Sequence, residues 1–272
     1  MISRLTDQKY LTQSQYGDSG NLHARLAIHQ RFSTNPYGWF NWVFDQLSSL
    51  PADANVLEVG CGSGELWREC AERIPAGWAL TLTDLSDGML DAAWRNLIVT
   101  GRGYKFEKID AQSIPYADRI FDAVIANHML YHVPDRKKAL AEIHRVMKDD
   151  GVFFAATVGK AHFHEIDERV SRISGGRSGR LALQFTLENG ETQLKEFFPR
   201  VELSRYPDSL RVTDVDMLMR YIRSMSTFAE LLEDELKGLE REFSEVLKKN
   251  GEIFISKDTG LFKAVKSSYA NL

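Results

Sequence analysis

The stretch NVLEVGCGSGELWRE, from Asn55 to Glu69, decides how the rest of the chain is read. An apolar run, VLEV, enters a glycine-dense turn that passes straight into residues with helical spacing. The pattern predicts a strand, a ligand-type loop and a helix. Gly60, Gly62 and Gly64 lack a Cβ, so they can take positive φ and let the backbone come against a guest. The following helix aims free N–H groups and the positive end of its dipole at the same place, which favours an anionic or carboxylate-bearing guest. A nucleotide-like cofactor is the expectation.

Spacing selects among cofactors. A dinucleotide turn wants G-x-G-x-x-G, with pyrophosphate on the helix end. Here the glycines run G-x-G-x-G and Glu65 follows, setting a negative charge where a pyrophosphate would lie. That disfavours a nicotinamide oxidoreductase. With Glu58 two residues before the first glycine, EVGCGSG resembles the E/D-x-G-x-G-x-G signature of class I S-adenosylmethionine-dependent methyltransferases, in particular their ubiquinone and menaquinone biosynthesis-like group. The resemblance implies an α/β fold: a Rossmann-like, doubly wound, mostly parallel seven-stranded sheet with a terminal antiparallel hairpin. It implies S-adenosyl-L-methionine as cofactor and S-adenosyl-L-homocysteine as product. Gly60, Cys61 and Gly62 would line the cofactor. Glu58 would answer the methionine ammonium while backbone amides of the turn answer its carboxylate. Taken alone, the glycines also fit a tight turn with no ligand.

Composition sets the outer limits. The 272 residues suit one large α/β domain, or one domain and a cap. A net charge of -4 gives no nucleic-acid footprint, so DNA is not an expected partner. Cys61 and Cys70 cannot build a disulfide framework and fit a reducing compartment, with a cytoplasmic location as the default. The N-terminus is polar, and no apolar run approaches the ~18 residues of a membrane span. His162 and His164 alternate in the wrong way for a helical metal pair and have no cysteine or further histidine cluster nearby, so no metal is expected.

Before the glycine turn, the first twenty residues are polar, hold Tyr10 and Tyr16, and close with the loop signal Gly17-Asp18-Ser19-Gly20. They read as a lid or arm. Leu22, Leu26, His29 and Phe32 predict a helix that stops before Pro36 and carries Arg25 and His29 toward its buried side. Resembling enzymes often fold such a segment over the cofactor, which would bring Tyr16, Arg25 or His29 near the methionine end or the acceptor. The plainer reading makes His29 a satisfied core histidine and Arg25 part of a surface ion pair. Trp39 to Leu47 form an aromatic-rich helix of core type.

After the turn, Leu66, Cys70 and Ile74 mark a crossover helix, and Trp78 to Thr83 a second strand ending at Asp84. Asp84 stands twenty residues beyond Gly64, where a parallel sheet puts an acid at the same carboxyl edge. Asp84-Leu85-Ser86 therefore reads either as a helix N-cap or as a clamp on both ribose hydroxyls of an adenosine. Leu85 and Met89 flank the adenine or belong to the core. A third strand, Tyr104 to Ile109, precedes Asp110, and the resemblance carries the adenine amine to Asp110 and a ring nitrogen to the Ala111 N–H. The run FDAVIANHMLYHVPD resembles the family's fourth-strand segment, so Asn127 and His128 inherit contact with the methionine part, with Tyr131 and His132 in the following loop. His128, His132 and His29 are candidate bases because histidine titrates near neutrality. Asp135 caps a helix ending before Asp149-Asp150-Gly151, and a fifth strand runs from Val152 to Val158.

Residues 160–180 read as a helix and a basic loop, Leu181 to Leu187 lead on toward a strand at Val201 to Leu203, and Met217 to Met225 and Phe228 to Leu247 give apolar helical stripes closed by Asn250-Gly251. Glu252 to Ser256 and Leu261 to Val265 read as the terminal hairpin. The expected organisation is a helical lid over residues 1–50, a cofactor core over 51–160, and sheet completion with inserted substrate-side helices over 161–272. The function so implied is SN2 methyl transfer to the O, N or C of a small-molecule acceptor, by a monomer or homodimer. A cofactor-binding protein without transfer and a tRNA-modifying enzyme stay open beside it.

Overall fold

A computed structural model describes residues 4–176 and 184–266 of the chain. The end of the expected basic loop and the start of the stretch at Leu181 lie outside the described residues. Nine strands are present among those described: β1 (Asn55–Val59), β2 (Ala79–Asp84), β3 (Lys105–Lys108), β4 (Phe121–Asn127), β5 (Met147–Val158), β6 (Arg200–Tyr206), β7 (Ser209–Val212), β8 (Ile253–Ser256) and β9 (Thr259–Val265). Seven make one sheet in the order β3-β2-β1-β4-β5-β9-β6. The first five of these strands are parallel neighbours, and β9 runs antiparallel to both β5 and β6. The fold is therefore the doubly wound, mostly parallel sheet that the glycine motif implied.

The helices are α1 (Gln8–Tyr10), α2 (Gly20–Phe32), α3 (Trp39–Gln46), α4 (Glu65–Glu69), α5 (Asp87–Leu97), α6 (Arg136–Val146), α7 (His164–Ile173), α8 (Gly190–Leu194), α9 (Val215–Ser224) and α10 (Glu233–Asn250). Alternation along the strands assigns each residue to a layer. Leu57, Val124 and Phe153 face Leu140 and Ile143 of α6 in one buried cluster. Their neighbours Val56, Ala123 and Phe154 face Val43 of α3, Trp67 of α4 and Leu97 of α5 in the other. Central strands buried on both faces need apolar side chains at every position, hence runs such as AVIA.

A third cluster joins the two ends of the chain: Ile28 and Phe32 of α2, Leu210 of β7, Ile222 of α9, Phe243 of α10 and Ile255 of β8. The lid expected over residues 1–50 is thus divided, because α3 packs on the sheet while α2 shares one cap with the C-terminal insertion. Asp208 pins this junction. Its carboxylate accepts from Ser33 Oγ at 2.6 Å and from the amides of Thr34 at 3.1 Å and Asn35 at 3.0 Å, and it pairs with the buried Lys257.

Three local expectations are corrected. The first crossover helix is only five residues long, Glu65–Glu69, followed by a 3-10 turn at Ala71–Arg73, so the dipole expected behind the glycine turn is small. Residues 252–256 and 261–265 do not pair with each other: β8 joins β7 in a separate two-stranded sheet, and the antiparallel sheet edge is β9 with β6. β5 begins at Met147, directly after α6, and its register shifts between Phe121 and Ala123, so Asp149 and Asp150 lie inside the strand and do not close the helix. Among the described residues no helix is long and apolar enough to cross a membrane.

Removing Asp208 leaves Lys257 buried without its counter-charge, a loss of about 3 kcal/mol. Asp208→Ala should lower the urea midpoint accordingly; an unchanged midpoint would show that the pair does not hold the cap.

Candidate active site

Sheet order reverses beside β1, which has β2 on one side and β4 on the other. In open α/β sheets, the crevice at the carboxyl ends of such strands receives the ligand. Here Gly60, Gly62 and Gly64 take φ of 71°, 55° and 75°. A Cβ on Gly60 would stand 2.8 Å from Met129 Cβ, and one on Gly64 2.9 Å from Leu97 Cδ1. The turn needs glycine for conformation and for room. The Cys61 amide donates to the Thr83 carbonyl at 2.8 Å and ties the turn to β2.

Asp84 ends β2 and accepts from the Gly62 amide at 3.0 Å and the Ser86 amide at 2.9 Å. Burial pushes its pKa up, and those backbone hydrogen bonds oppose the rise. The helix cap belongs to Ser86, whose Oγ accepts from the Met89 amide at 3.3 Å, so Asp84 is released from that role. Beyond β3, Asp110 accepts from the Gln112 amide at 2.9 Å and from Gln8 Nε2 at 2.9 Å, next to the buried Ala111. Burial raises its pKa, but these hydrogen bonds outweigh burial and hold it below the usual carboxylate range. Asn127 ends β4 with its Oδ1 buried and accepting no hydrogen bond.

The polar N-terminal segment crosses these strand ends as a strap. Gln8 reaches Asp110, the Tyr16 carbonyl accepts from Ser86 Oγ at 2.6 Å, and Leu22 lies over Gly62. Gln15 Nε2 donates to the Ser224 carbonyl at 2.9 Å, joining the strap to α9. Gly88 makes the crossing possible, since a Cβ there would stand 2.1 Å from the Gly17 carbonyl oxygen. Gln8, Gly88 and Met129 carry no assignment from sequence. An isolated glycine in the first turn of α5 was the one available signal.

A directed chain of hydrogen bonds lies under the strap. His132 Nδ1 faces the Leu5 carbonyl at 2.8 Å, which only accepts, so Nδ1 carries the proton. Nε2 then accepts from the Tyr16 hydroxyl at 3.1 Å, and the Tyr16 oxygen accepts from Arg25 Nη1 at 3.2 Å. Tyr131 packs on His132 with ring centroids 4.6 Å apart, and burial raises its phenol pKa. Arg25 forms no surface ion pair: Nε donates to the Asn21 carbonyl at 3.1 Å, and Nη2 is buried with no partner. His29 is not a satisfied core histidine either, because its buried Nδ1 has no partner.

Several sequence assignments are corrected by this geometry. Glu58 is 2% exposed and its Oε2 accepts from Trp67 Nε1 at 2.6 Å. Burial lifts its pKa to about 8, so it is no open carboxylate for an ammonium. Met89 is fully enclosed, as a core residue of α5, while Leu85 is half-buried at the loop. The Cys61 thiol is buried and pushed well above its ordinary pKa by that burial. The histidines do not titrate near neutrality: burial, then Lys257, brings His128 to about 4, and burial, with Arg25 adding to it, brings His132 to about 4. His29 is lowered too, first by burial and then by Lys257. His128 holds φ 57°, donates its amide to Ala156 at 3.1 Å, and lies 5.1 Å from the Trp39 ring. It is neutral at pH 7 and stands directly after β4.

Residues 57–155 match the family model described as a methyltransferase domain. The sheet order and the glycine turn agree with that likeness, and the sheet is Rossmann-like. Among curated relatives, the chain is 32% identical over 154 residues to malonyl-[acyl-carrier protein] O-methyltransferase of Geobacter sulfurreducens, covering 55% of this chain and 52% of that protein. It is 35% identical over 147 residues to demethylmenaquinone methyltransferase of Lactobacillus johnsonii, covering 49% of this chain and 58% of that protein. The chain thus spans about half the length of these relatives. Phosphoethanolamine N-methyltransferase 2 of Haemonchus contortus, solved with S-adenosyl-L-methionine, superposes with a TM-score of 0.59 at 21% identity over 98% of this chain and 61% of that one. At that identity the likeness is one of fold.

A carboxyl whose pKa rises from 4.5 to about 8 on folding holds a proton that the unfolded chain releases. Its contribution to stability is therefore full below about pH 4.5 and lost as pH rises through about 8. Glu58→Gln keeps the Trp67 hydrogen bond and should flatten that slope, gaining on the order of 4 kcal/mol at pH 9; parallel stability curves for the two proteins from pH 5 to 9 would refute it. Gly88→Ala should speed amide exchange across residues 8–18 without lowering protection in β1 or β4, and unchanged exchange there would show that the strap does not depend on this close approach.

Proposed function

We propose that the chain transfers a methyl group from S-adenosyl-L-methionine to the O, N or C of a small-molecule acceptor. The observation that carries the reading is Asn127 Oδ1, a buried acceptor without a donor at the end of β4, beside the left-handed glycine turn and the acid ending β2. A buried orphan acceptor calls for a donor from a ligand, and an ammonium supplies one. In this reading Asn127 takes the ammonium in place of Glu58. Asp84 takes the ribose hydroxyls, Asp110 and Ala111 the adenine edge, and the amides around Gly60 to Gly62 the carboxylate.

When bound, the cofactor supplies a methyl group on a cationic sulfur, which keeps the electron pair of the broken C–S bond while the acceptor's pair forms the new one. The chain's own contribution is alignment and exclusion of water. The strap from Gln8 to Leu22 covers the strand ends, and His128 fixes the turn that presents Asn127. Acceptors that must lose a proton need a base. With the His132 pKa held near 4 by burial and by Arg25, its Nε2 orients the Tyr16 hydroxyl and does not serve as a strong base, so the site favours acceptors that arrive already deprotonated. We place the cofactor in residues 51–160 and the acceptor between that edge and the cap. Two free, buried thiols fit a reducing, cytoplasmic setting.

Calorimetry with S-adenosyl-L-methionine and S-adenosyl-L-homocysteine, then a tritiated-methyl screen over phenols, amines and carboxylates, tests this. Binding of both is expected, and absence of binding by either refutes the reading. Asp84→Ala should raise the dissociation constant by about 30-fold, given roughly 2 kcal/mol for charge-assisted hydrogen bonds; an unchanged constant would mean that Asp84 is not the ribose clamp.

A further inference from the structure

We infer that the methyl acceptor is an oxyanion, a carboxylate or a phosphate, held under the cap by Nη2 of Arg25. The inference deepens the methyl-transfer reading and rests on it. Two of the three guanidinium nitrogens are engaged, Nε with the Asn21 carbonyl and Nη1 with the Tyr16 hydroxyl, and Nη2 is buried with nothing to donate to. Among the described residues, no Asp or Glu pairs with this cation. Its electrostatic neighbours are the phenols of Tyr16, Tyr131 and Tyr221, with the guanidinium carbon 5.1 Å from the centroid of the Tyr16 ring. Arginine keeps its charge in proteins, so the site holds a full positive charge without an anion.

Such an arrangement is expensive. An uncompensated buried ion carries a penalty of several kcal/mol. The same cap shows what a structural cation looks like: Lys257 is as deeply placed and is matched by Asp208. Arg25 has no such match. One turn further along α2, on the same face, His29 Nδ1 is also buried without a partner. Burial, Lys257 and Arg25 itself keep that ring neutral, and Asp208 only partly opposes them. One cationic donor and one neutral imidazole nitrogen, neither hydrogen-bonded to a carboxylate at its free atom, suit a guest that brings negative charge and accepts hydrogen bonds. A cationic amine would meet repulsion there, and a neutral acceptor would leave the charge uncompensated. The Arg25–Tyr16–His132 chain connects this position to the loop after β4, so an anion seated on Nη2 lies on the acceptor side of the strand ends.

The test reads Arg25 itself. In the full chain labelled with 15N-arginine, the Arg25 Nε–H signal is assigned by its absence in Arg25→Lys, and sodium malonate and inorganic phosphate are titrated in separate samples at fixed ionic strength. A saturable shift with one anion supports the inference and names the carboxylate or the phosphate as the group; a response to neither anion, or one no different from that of exposed arginines, overturns it. A second arm compares each anionic acceptor with its neutral counterpart, acid with amide and phosphomonoester with alcohol, at one S-adenosyl-L-methionine concentration. Preference for the anionic member, with KM raised on the order of 10²-fold in Arg25→Gln and cofactor affinity unchanged, supports the inference, and equal use of both members overturns it. Failure of the methyl-transfer reading looks different: the cofactor does not bind the parent protein, whatever the Arg25 signal does.

Discussion

The parallel register of β1 with its two neighbours is the constraint on which the site depends. Val59 stands opposite Thr83 and Glu58 opposite Ile125, so each strand finishes within a residue or two of the same level. The residues at or just past these strand ends are then delivered to one line: Gly60 after β1, Asp84 at the end of β2, Asn127 at the end of β4. A slip of one residue would turn Leu57 and Val59 to the opposite layer and take the glycine turn away from Asp84. The apolar alternation that fills two core layers also aligns the polar tips, so packing and site geometry are set by the same register.

That coupling explains why much of the site is legible in the sequence. Asp84 and Asn127 are found because a polar residue at the end of an apolar strand has one place to go. Glu58 misleads for the same reason. It lies inside the strand, and its acidic character suggests a ligand, while the partner that claims it is an indole nine residues on, in a helix whose facing side periodicity alone does not specify. The strap is the least legible part. Gln8 to Asp110 spans 102 positions and Tyr16 to His132 spans 116, and neither pairing has a local signature. The merger of α2 with the C-terminal insertion is hidden likewise, since an apolar helical face does not reveal which distant face covers it.

Charge is distributed unevenly across this edge. Asp84 and Asp110 gather where the adenosine would lie, Arg25 stands unpaired under the cap, and the histidines between them are neutral because they are enclosed. Low local dielectric strengthens each of these charges. In the proposed complex, a cationic donor would be favoured on the acidic side and an anionic acceptor on the basic side.

Such a site must still leave the acceptor reactive. Methyl transfer from a sulfonium to an anion cancels charge, so tight pairing of the attacking oxygen with a guanidinium would stabilise the reactants more than the transition state. Arg25 avoids the two-pronged grip that arginine ordinarily gives a carboxylate, because Nε and Nη1 are spent on Asn21 and Tyr16. A single remaining nitrogen orients an oxyanion through one oxygen and leaves another, or a neighbouring nucleophile on the same molecule, free toward the strand tips. In the proposed complex, the hydrogen bonds that occupy the rest of the guanidinium would set how strongly the acceptor is held as well as where it sits.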